Sequence, residues 1–186
     1  MSDTTHNLFS LIGSDVRAKS QWMYGGDSTK LFLKTLAADG TATMILYRLM
    51  QASHKHHLAP LAMIFNKCIT IFGQCAIGRE ADFGSAFVIL YSNGVMINGH
   101  VRGGSHVTLT HQITIGEEHN RAPILGNHVY IGAGARILGG VTIGDHTKIA
   151  ANAVVLNHVP DGATVLGIPA QVVWRKPVKK PTLPAS

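Results

Sequence analysis

An apolar residue, or glycine at one position, recurs every sixth place through the second half of this 186-residue chain. The series is interrupted by two extra residues within 89–96 and by four extra residues near 117–123. Its members are Ile71, Ile77, Phe83, Ile89, Ile97, Gly103, Leu109, Ile115, Leu125, Ile131, Ile137, Ile143, Ile149 and Val155. A period of six differs from the ~3.6 residues of a helical turn and from the alternation of a plain strand. It is typical of a parallel β-helix, in which successive hexapeptides form the sides of a triangular coil.

A second column of small or branched residues lies four places after most members of this series, as at Val107, Ile113 and Ala135. We expect both columns to point inward, because successive coils stack at the strand spacing of about 4.8 Å and leave room only for a continuous core. The fold predicted from the repeat is therefore mainly β.

Gly, Asn or His recurs three places after the aliphatic residue, and His106, His128 and His146 fill this slot in three coils. These residue types tolerate a positive φ at a tight turn better than most others. A column of histidines could also indicate a metal site. Turn chemistry is the simpler interpretation, and we expect no metal.

Most of the residues before the repeat, from about residue 27, are predicted to be helical. Residues 1 to about 26 have a mixed, loop-like pattern, and the helical pattern begins where Asp27 or Ser28 can cap a first helix. Pro60 stands where a later helix can begin. The predicted parts are an N-terminal helical segment over residues 1–69, a β-helix over residues 70–174 and a basic C-terminal tail over residues 175–186.

The net charge is +6, and much of the excess lies in the tail, at Arg175, Lys176, Lys179 and Lys180. We interpret the tail either as a solvated segment or as a clamp for a phosphate-bearing cofactor, in which Arg175 and Lys176 would take part. The chain has no interleaving of aromatic and basic residues and no DNA-binding helix signature, so no nucleic-acid partner is expected.

No apolar run approaches the ~18–20 residues that a membrane span needs, and the N-terminus lacks the pattern of a signal peptide. The two cysteines, Cys68 and Cys75, do not make a disulfide framework and fit a reducing compartment. We therefore expect a cytoplasmic protein with no membrane partner.

His111 interrupts the apolar alternation of the stretch "VTLTHQITIG". Counted through the two interruptions, Tyr91, His111, Ala133 and Ala151 each lie two places after their aliphatic residue. These four residues are predicted to share one face, one coil apart, at a point where the chain begins to turn and the side chains point outward. His111 is therefore a candidate site residue, or else a solvated or interface histidine.

Residues 131–173, together with the upstream stretch 88–99, resemble the left-handed β-helix acyltransferases, and most closely the serine acetyltransferase family. The resemblance implies a left-handed parallel β-helix and acetyl-CoA as co-substrate. It also implies a homotrimer with sites between neighbouring prisms and acetyl transfer to a hydroxyl of a small acceptor such as serine. The stretch "GIPAQVV", with Gly167 and Pro169, points to users of coenzyme A.

The resemblance also assigns residues to the cofactor. Ala133 and Ala151 would form a smooth wall for the pantetheine arm, with Gly116 near the thioester and Lys148 near the phosphates. The alternative for the two alanines is packing against a neighbouring subunit.

Three positions depart from the family pattern. The base histidine of the serine acetyltransferases falls on Tyr91, their base-orienting aspartate on Ala76, and their second active-site histidine on Ala122. Arg121 matches their substrate-carboxylate arginine, which keeps an amino-acid acceptor open.

We predict that His111 replaces the missing base, since its setting "HQITIG" is similar to an "HHVTLG"-type segment seen in some members of this fold. A neutral imidazole suits deprotonation of the attacking hydroxyl, and the backbone N–H of Gly116 could stabilise the oxyanion. Direct transfer without a covalent acyl-enzyme is expected, because neither cysteine is placed to act. The candidate catalytic residues are His111, Tyr91 and Asn93, and the candidate acceptor-binding residues are Arg121, His119 (also a second possible base) and Ser92.

Three alternatives remain at this point. The acceptor could be a sugar, or the chain could be a trimeric scaffold that has lost catalysis. A metalloenzyme of the γ-type carbonic anhydrase class would use His106 and His111, but residues 68–70, where a third histidine should lie, read Cys-Ile-Thr.

Overall fold

The computed structural model describes residues 7–173. This part of the chain contains four helices followed by fifteen short strands. The helices are α1 (Leu8–Tyr24), α2 (Thr29–Leu36), α3 (Thr41–Lys55) and α4 (Ala59–Gly73). A helical segment followed by a β-helix is the architecture that the sequence predicts. Helix α4 extends to Gly73, beyond the predicted boundary at residue 69.

The strands form three sheets that the chain visits in turn, which makes a triangular prism. Sheet A holds β1 (Ala76–Ile77), β4 (Met96–Ile97), β7 (Thr114–Gly116), β10 (Arg136–Leu138) and β13 (Val154–Val155). Sheet B holds β2 (Asp82–Phe83), β5 (Arg102–Gly103), β8 (Ile124–Leu125) and β11 (Thr142–Ile143). Sheet C holds β3 (Val88–Ile89), β6 (Thr108–Leu109), β9 (Tyr130–Ile131), β12 (Lys148–Ile149), β14 (Thr164–Leu166) and β15 (Gln171–Val173). All neighbours are parallel except β14 and β15.

The six-residue series forms the core ladders. In sheet A the register aligns Ile77, Ile97, Ile115, Ile137 and Val155, all buried. The second column is buried as well, as at Val107, Ile113 and Ala135. Both inward columns predicted from the sequence are thus confirmed.

Two members of the series depart from this pattern. Ile71 lies in α4 and its side chain is 68% exposed, so the prediction that it begins the ladder is wrong. Its spacing from Ile77 matches the hexad only by coincidence. Gly103 is on the ladder, but a Cβ there would collide with the ring of Phe83 in the preceding coil. The phenyl ring fills the space of the missing side chain.

The prediction of a loop-like segment over residues 1–26 is wrong for most of its length, because Leu8–Tyr24 is helical. Asn7 caps this helix by accepting from the backbone N–H of Phe9 at 3.3 Å, and Gly25 ends it in the left-handed conformation. The buried face carries Asp15, Lys19 and Ser20 beside Val16, so the apolar periodicity that identifies a helix from sequence is missing.

A buried ion pair joins α1 to α3 and to the first coil. Arg48 is 1% exposed and donates to both carboxylate oxygens of Asp15, at 2.7 and 3.0 Å. Arg48 also donates to the carbonyl of Phe83 at 2.8 Å and to that of Gly84. Asp15 accepts from the backbone N–H of Phe87 at 2.9 Å. Each charge is paired and hydrogen-bonded, which is the condition for placing it in a core.

Lys19 makes a second connection between α1 and the prism. Its fully buried ammonium donates to the carbonyls of Ile89 at 2.8 Å and Leu90 at 3.3 Å, and also to that of Asp39. Leu90 directly precedes Tyr91, so α1 is anchored to the corner that carries a candidate site residue.

Among residues 7–173, no helix has the length and apolar character required to cross a bilayer.

Candidate active site

The candidate site residues lie at the corners of the prism, which we name by the sheets that they connect. The C–A corner leads from sheet C to sheet A, and its turn slot is in the left-handed region in every coil. The φ values are 65° at Gly94, 54° at Gln112, 73° at Gly134 and 57° at Asn152. Gln74, with a φ of 50°, holds the equivalent place before β1, where the chain arrives from α4.

Tyr91 and His111 meet at the C–A corner. Their ring centroids are 6.0 Å apart, with an interplanar angle of 81°, so the edge of one ring faces the other. Tyr91 is 46% exposed and His111 is half-buried. The outward, one-coil-apart placement that the register predicts for these two residues is therefore confirmed.

The next coils continue the same column with small residues. The backbone N–H of Gly134 donates to the carbonyl of His111 at 3.0 Å, and that of Asn152 donates to the carbonyl of Ala133 at 2.8 Å. Ala133 is half-buried and Ala151 is exposed. A strip lined by methyl groups thus runs from His111 towards the C-terminal coils.

Gly116, His119 and Arg121 lie at the A–B corner, on the opposite edge of sheet A. Glu118 and Arg121 exchange two backbone hydrogen bonds, of 3.0 and 2.9 Å, which close a tight loop around the exposed His119. This loop borders a cavity of about 590 Å³ together with Leu138. Gly116 is buried beneath Leu138, which is 2.9 Å from the position of an added Cβ.

One chain therefore does not bring all the predicted site residues together. Sheet A separates His111 and Tyr91 at one corner from Arg121, His119 and Gly116 at the other.

Lys148 lies on the outer face of sheet C, beside Tyr130 in register. It lines a cavity of about 590 Å³ that also involves Trp22 of α1 and His128. The column of alanines at the C–A corner follows this strand directly, so Lys148 flanks the strip rather than lying within it.

The "GIPA" turn packs against the last coil. Gly167 has a φ of 96°. Its carbonyl accepts a hydrogen bond from the backbone N–H of Val154 at 3.1 Å, and the backbone N–H of Ala170 donates to the carbonyl of Val154 at 2.8 Å. Pro169 is exposed beside it. Arg175 and Lys176, predicted to contact phosphates, lie outside the described residues.

His106, His128 and His146 stack at the B–C corner, with centroid distances of 4.4 and 4.7 Å. Their φ values are 58°, 55° and 56°, as predicted for a turn slot. Burial, helped by the neighbouring His128, lowers the pKa of His106. Across residues 7–173, no group of three or more His, Cys, Asp or Glu side chains is arranged to hold a metal ion. His106 and His111 lie at opposite ends of β6, and residues 68–70 lie in α4, so the carbonic anhydrase alternative has no support.

A cluster of amides beside Tyr91 was missed by the sequence analysis. The side chain of Asn93 donates to Gln74 at 2.9 Å, and the carbonyl of Asn93 accepts from the backbone N–H of Gln112 at 2.9 Å. The signal that could have found it is the turn slot, which places Gln74 and Gln112 one above the other with Gly94 between them.

The comparisons with known proteins bear on this arrangement. The family described as bacterial transferase hexapeptide (six repeats) matches residues 122–157. A serine acetyltransferase of Helicobacter pylori is 31% identical over 179 residues, which cover 94% of this chain and 99% of that protein. The chain belongs to the serine acetyltransferase family. Its fold is accordingly the left-handed β-helix that the sequence predicts.

Two solved structures of the family show the same architecture. A soybean serine acetyltransferase complexed with serine superimposes with a TM-score of 0.81 at 28% identity, covering 89% of this chain and 69% of that one. A serine acetyltransferase in complex with CoA gives a TM-score of 0.80 at 27% identity, covering 89% of this chain and 69% of that one. The chain spans about two thirds of the length of the solved structures that it matches.

Two of the positions that depart from the family pattern hold alanine, whose side chain cannot take the place of an aspartate or a histidine. Ala76 is exposed at the start of β1, and Ala122 is half-buried against the core. Within the C–A corner, the imidazole of His111 is the group best suited to accept a proton.

Proposed function

We propose that this protein is an acetyl-CoA-dependent O-acetyltransferase that acylates a hydroxyl of a small acceptor. The observation that carries the proposal is the contact of Tyr91 with His111 at the head of the strip formed by Ala133 and Ala151. Membership of the serine acetyltransferase family supports it, and the names of the relatives make L-serine the first acceptor to test. A cytoplasmic location fits an enzyme that consumes acetyl-CoA.

In this proposal His111 is the general base. Its imidazole takes the proton of the acceptor hydroxyl while the oxygen attacks the thioester carbon. The new carbon–oxygen bond forms as the carbon–sulfur bond breaks, and the proton passes from the imidazolium to the departing thiolate of coenzyme A. Tyr91 and Asn93 hydrogen-bond the acceptor, and Ser92 lies between them.

Direct transfer, without an acyl-enzyme, is supported by the state of the cysteines. Cys75 is 5% exposed, and burial raises the pKa of its thiol to about 11. The thiolate is the nucleophilic form, so this residue stays unreactive at neutral pH. Cys68 lies in α4, on the helical segment rather than on the prism.

Acetyl-CoA would lie along the C–A corner. The pantetheine arm extends over Ala133 and Ala151, where a larger side chain would block it. Lys148, on the adjoining face of sheet C, reaches towards the phosphates, and Gly167 and Pro169 border the far end. Arg175 and Lys176, which the sequence offers as phosphate contacts, lie outside the described residues.

A homotrimer completes the site. Sheet A has the His111 corner on one edge and the Arg121 corner on the other. If sheet A faces the neighbouring copies around a threefold axis, the first corner of one chain meets the second corner of the next. Gly116, His119 and Arg121 of one copy then face His111 of its neighbour. Met96, an apolar side chain that is 49% exposed on sheet A, fits such an interface.

The test is acetyl-CoA consumption, measured as free thiol release with L-serine and other small hydroxyl compounds. We expect the His111→Ala variant to lose a factor of about 10²–10⁴ in rate, the usual contribution of a positioned general base. The matched control is His54→Ala, which removes an exposed imidazole from α3. Full activity of His111→Ala would make His111 structural and His119 the next candidate. Coenzyme A binding without turnover would favour the scaffold alternative.

A further inference from the structure

Residues 117–121 form a loop at the A–B corner, which we call the corner loop, and it carries two of the candidate acceptor-binding residues. His119 and Asn120 are both in the left-handed region, with φ values of 51° and 58°. Two consecutive left-handed residues that are not glycine are unfavourable in a free chain. Contacts from outside the corner loop therefore have to stabilise its shape.

Towards the C-terminal end of the prism, the corner loop packs on two glycines. A Cβ added at Gly140 would lie 2.7 Å from the Cβ of Arg121, and one added at Gly139 would lie 3.4 Å from a carboxylate oxygen of Glu118. The stem of the arginine therefore crosses directly over the backbone of the next coil. Close packing fixes this side of the corner loop.

On the other side, the corner loop contacts an imidazole of the preceding coil. His100 follows β4 at the same corner, and its Nδ1 donates to a carboxylate oxygen of Glu117 at 2.8 Å. The side chain of Glu117 is 18% exposed, so its carboxylate is largely enclosed. On the opposite edge of the ring, Nε2 lies 3.4 Å from a carboxylate oxygen of Glu80. This second pair is the weaker one, because both of its side chains are more than half exposed.

The charges around His100 identify its role. Both ring nitrogens face carboxylates, so neither is free to take a proton from an acceptor. The hydrogen bond to Glu117, followed by the charge of that residue, raises the pKa of His100 above its usual value of 6.5. Glu80 acts in the same direction, and Arg102 on β5 acts against it. The imidazole is therefore charged more often at neutral pH than a free histidine, and a charge-assisted hydrogen bond is stronger than a neutral one.

We propose that His100 is a positioning residue, which holds the corner loop through Glu117 and so presents Arg121 to the acceptor. The inference rests on the proposed function and adds to it the residue that orders one side of the acceptor site. In the proposed trimer the corner loop faces His111 of the neighbouring copy. A shift of the corner loop in one copy would therefore displace the acceptor from the base of the next.

The first experiment measures the corner loop without catalysis. Hydrogen–deuterium exchange on the whole protein follows the amides of Glu118 and Arg121, which bond across the corner loop. We expect His100→Ala to speed their exchange by about fivefold, the effect of losing one exposed ion pair. His100→Gln keeps one donor for the carboxylate and should restore most of the protection. The control Glu80→Gln removes the other carboxylate from the imidazole and should leave the exchange unchanged.

The second experiment separates KM from kcat, with L-serine and acetyl-CoA as the probes. We expect His100→Ala to raise the KM for L-serine by about fivefold and to leave kcat within about twofold of wild type. As the pH rises above 6.5, the imidazole of wild type loses its charge and the KM should rise. His100→Gln carries no titrating group there and should lack this rise. Comparison of the two proteins at each pH cancels the titration of L-serine itself.

The outcomes distinguish this proposal from the proposed function. Equal exchange of the corner loop in wild type and His100→Ala overturns the proposal. Faster exchange with an unchanged KM also overturns it, because His100 would then be a structural residue only. Faster exchange in a protein that does not turn over L-serine supports the hold of His100 on the corner loop and counts against acetyl transfer to serine. Size-exclusion chromatography establishes that all variants share the oligomeric state of wild type.

Discussion

Tyr91 stands where the family resemblance places a base histidine, and it touches the histidine of the next coil. The edge-to-face contact with His111 sets the imidazole against an aromatic ring. In the proposed mechanism His111 supplies the basic nitrogen, and Tyr91 supplies a wall and a hydrogen bond to the acceptor.

Replacing the phenol separates these two roles. Tyr91→Phe keeps the ring contact and removes the hydroxyl, so we expect kcat/KM to fall by about tenfold through a higher KM. Tyr91→Leu also removes the ring and should lower kcat. Steady-state kinetics of the two variants, with Tyr24→Phe on α1 as the control, measures KM and kcat separately and so distinguishes the role of the hydroxyl from that of the ring. Equal kinetics of wild type and Tyr91→Phe would show that the hydroxyl does not touch the acceptor.

The free energy of unfolding is expected to depend on pH through Lys19. Burial lowers the pKa of its ammonium to about 8, from 10.5 in the unfolded chain. Between these two values the unfolded chain holds one proton more than the folded one, so the free energy of unfolding rises with pH through this window. Urea unfolding of wild type and Lys19→Met from pH 7 to 10.5 measures the difference. We expect wild type to gain stability relative to the variant above pH 8, and a flat difference would contradict the pKa shift.

At the scale of elements, the prism was predictable and helix α1 was not. The prism repeats one pattern through many coils, so a single misplaced member such as Ile71 does not hide it. Helix α1 buries Asp15 and Lys19, whose partners Arg48, Ile89 and Leu90 are distant in sequence. A buried polar face of this kind can be recognised only when the structure shows which partners its side chains bond.

The Asp15–Arg48 pair gives an element-scale prediction. Arg48→Met leaves the Asp15 carboxylate buried without its partner, and the free energy of unfolding should fall by about 3–5 kcal/mol. The double variant Asp15→Leu with Arg48→Met removes both charges and should recover a large part of the loss. Chemical denaturation of the single and double variants measures both values. An additive double variant would mean that the two charges do not interact.

At the scale of the whole molecule, the candidate site is split between the two edges of sheet A. The sequence register placed Tyr91 and His111 on one face correctly, since stacking follows directly from the repeat. It did not identify Gln74 and Gln112, because glutamine is not among the residue types, Gly, Asn and His, that mark the turn slot in the sequence. In the proposed trimer Arg121 reaches His111 from a second copy, and the sequence of one chain indicates that copy only through resemblance.

Assembly can be tested on the exposed apolar residues of two faces. Met96→Glu puts a charge on sheet A, where the proposed interface lies, and should give a folded monomer that has lost acetyl transfer. Ile124→Glu puts the same charge on sheet B, at a side chain that is 54% exposed, and should leave the oligomer intact. Light scattering after size-exclusion chromatography, with activity measured on the same fractions, separates the two outcomes. A trimeric Met96→Glu variant would exclude sheet A as the interface.

Because Lys19 anchors the first coil to α1, we expect the first coil to tolerate less change in evolution than the last coils. Lys19 bonds the carbonyls of Ile89 and Leu90 across 70 and 71 residues of sequence, so the corner that carries Tyr91 is built jointly by helix and coil. Among residues 7–173, the side-chain hydrogen bonds between the helices and the prism reach no further than Leu90. Duplication or deletion of whole coils there would lengthen or shorten the groove in steps of about 4.8 Å. We therefore expect the length of the groove to change more readily in evolution than the geometry of the corner that carries Tyr91.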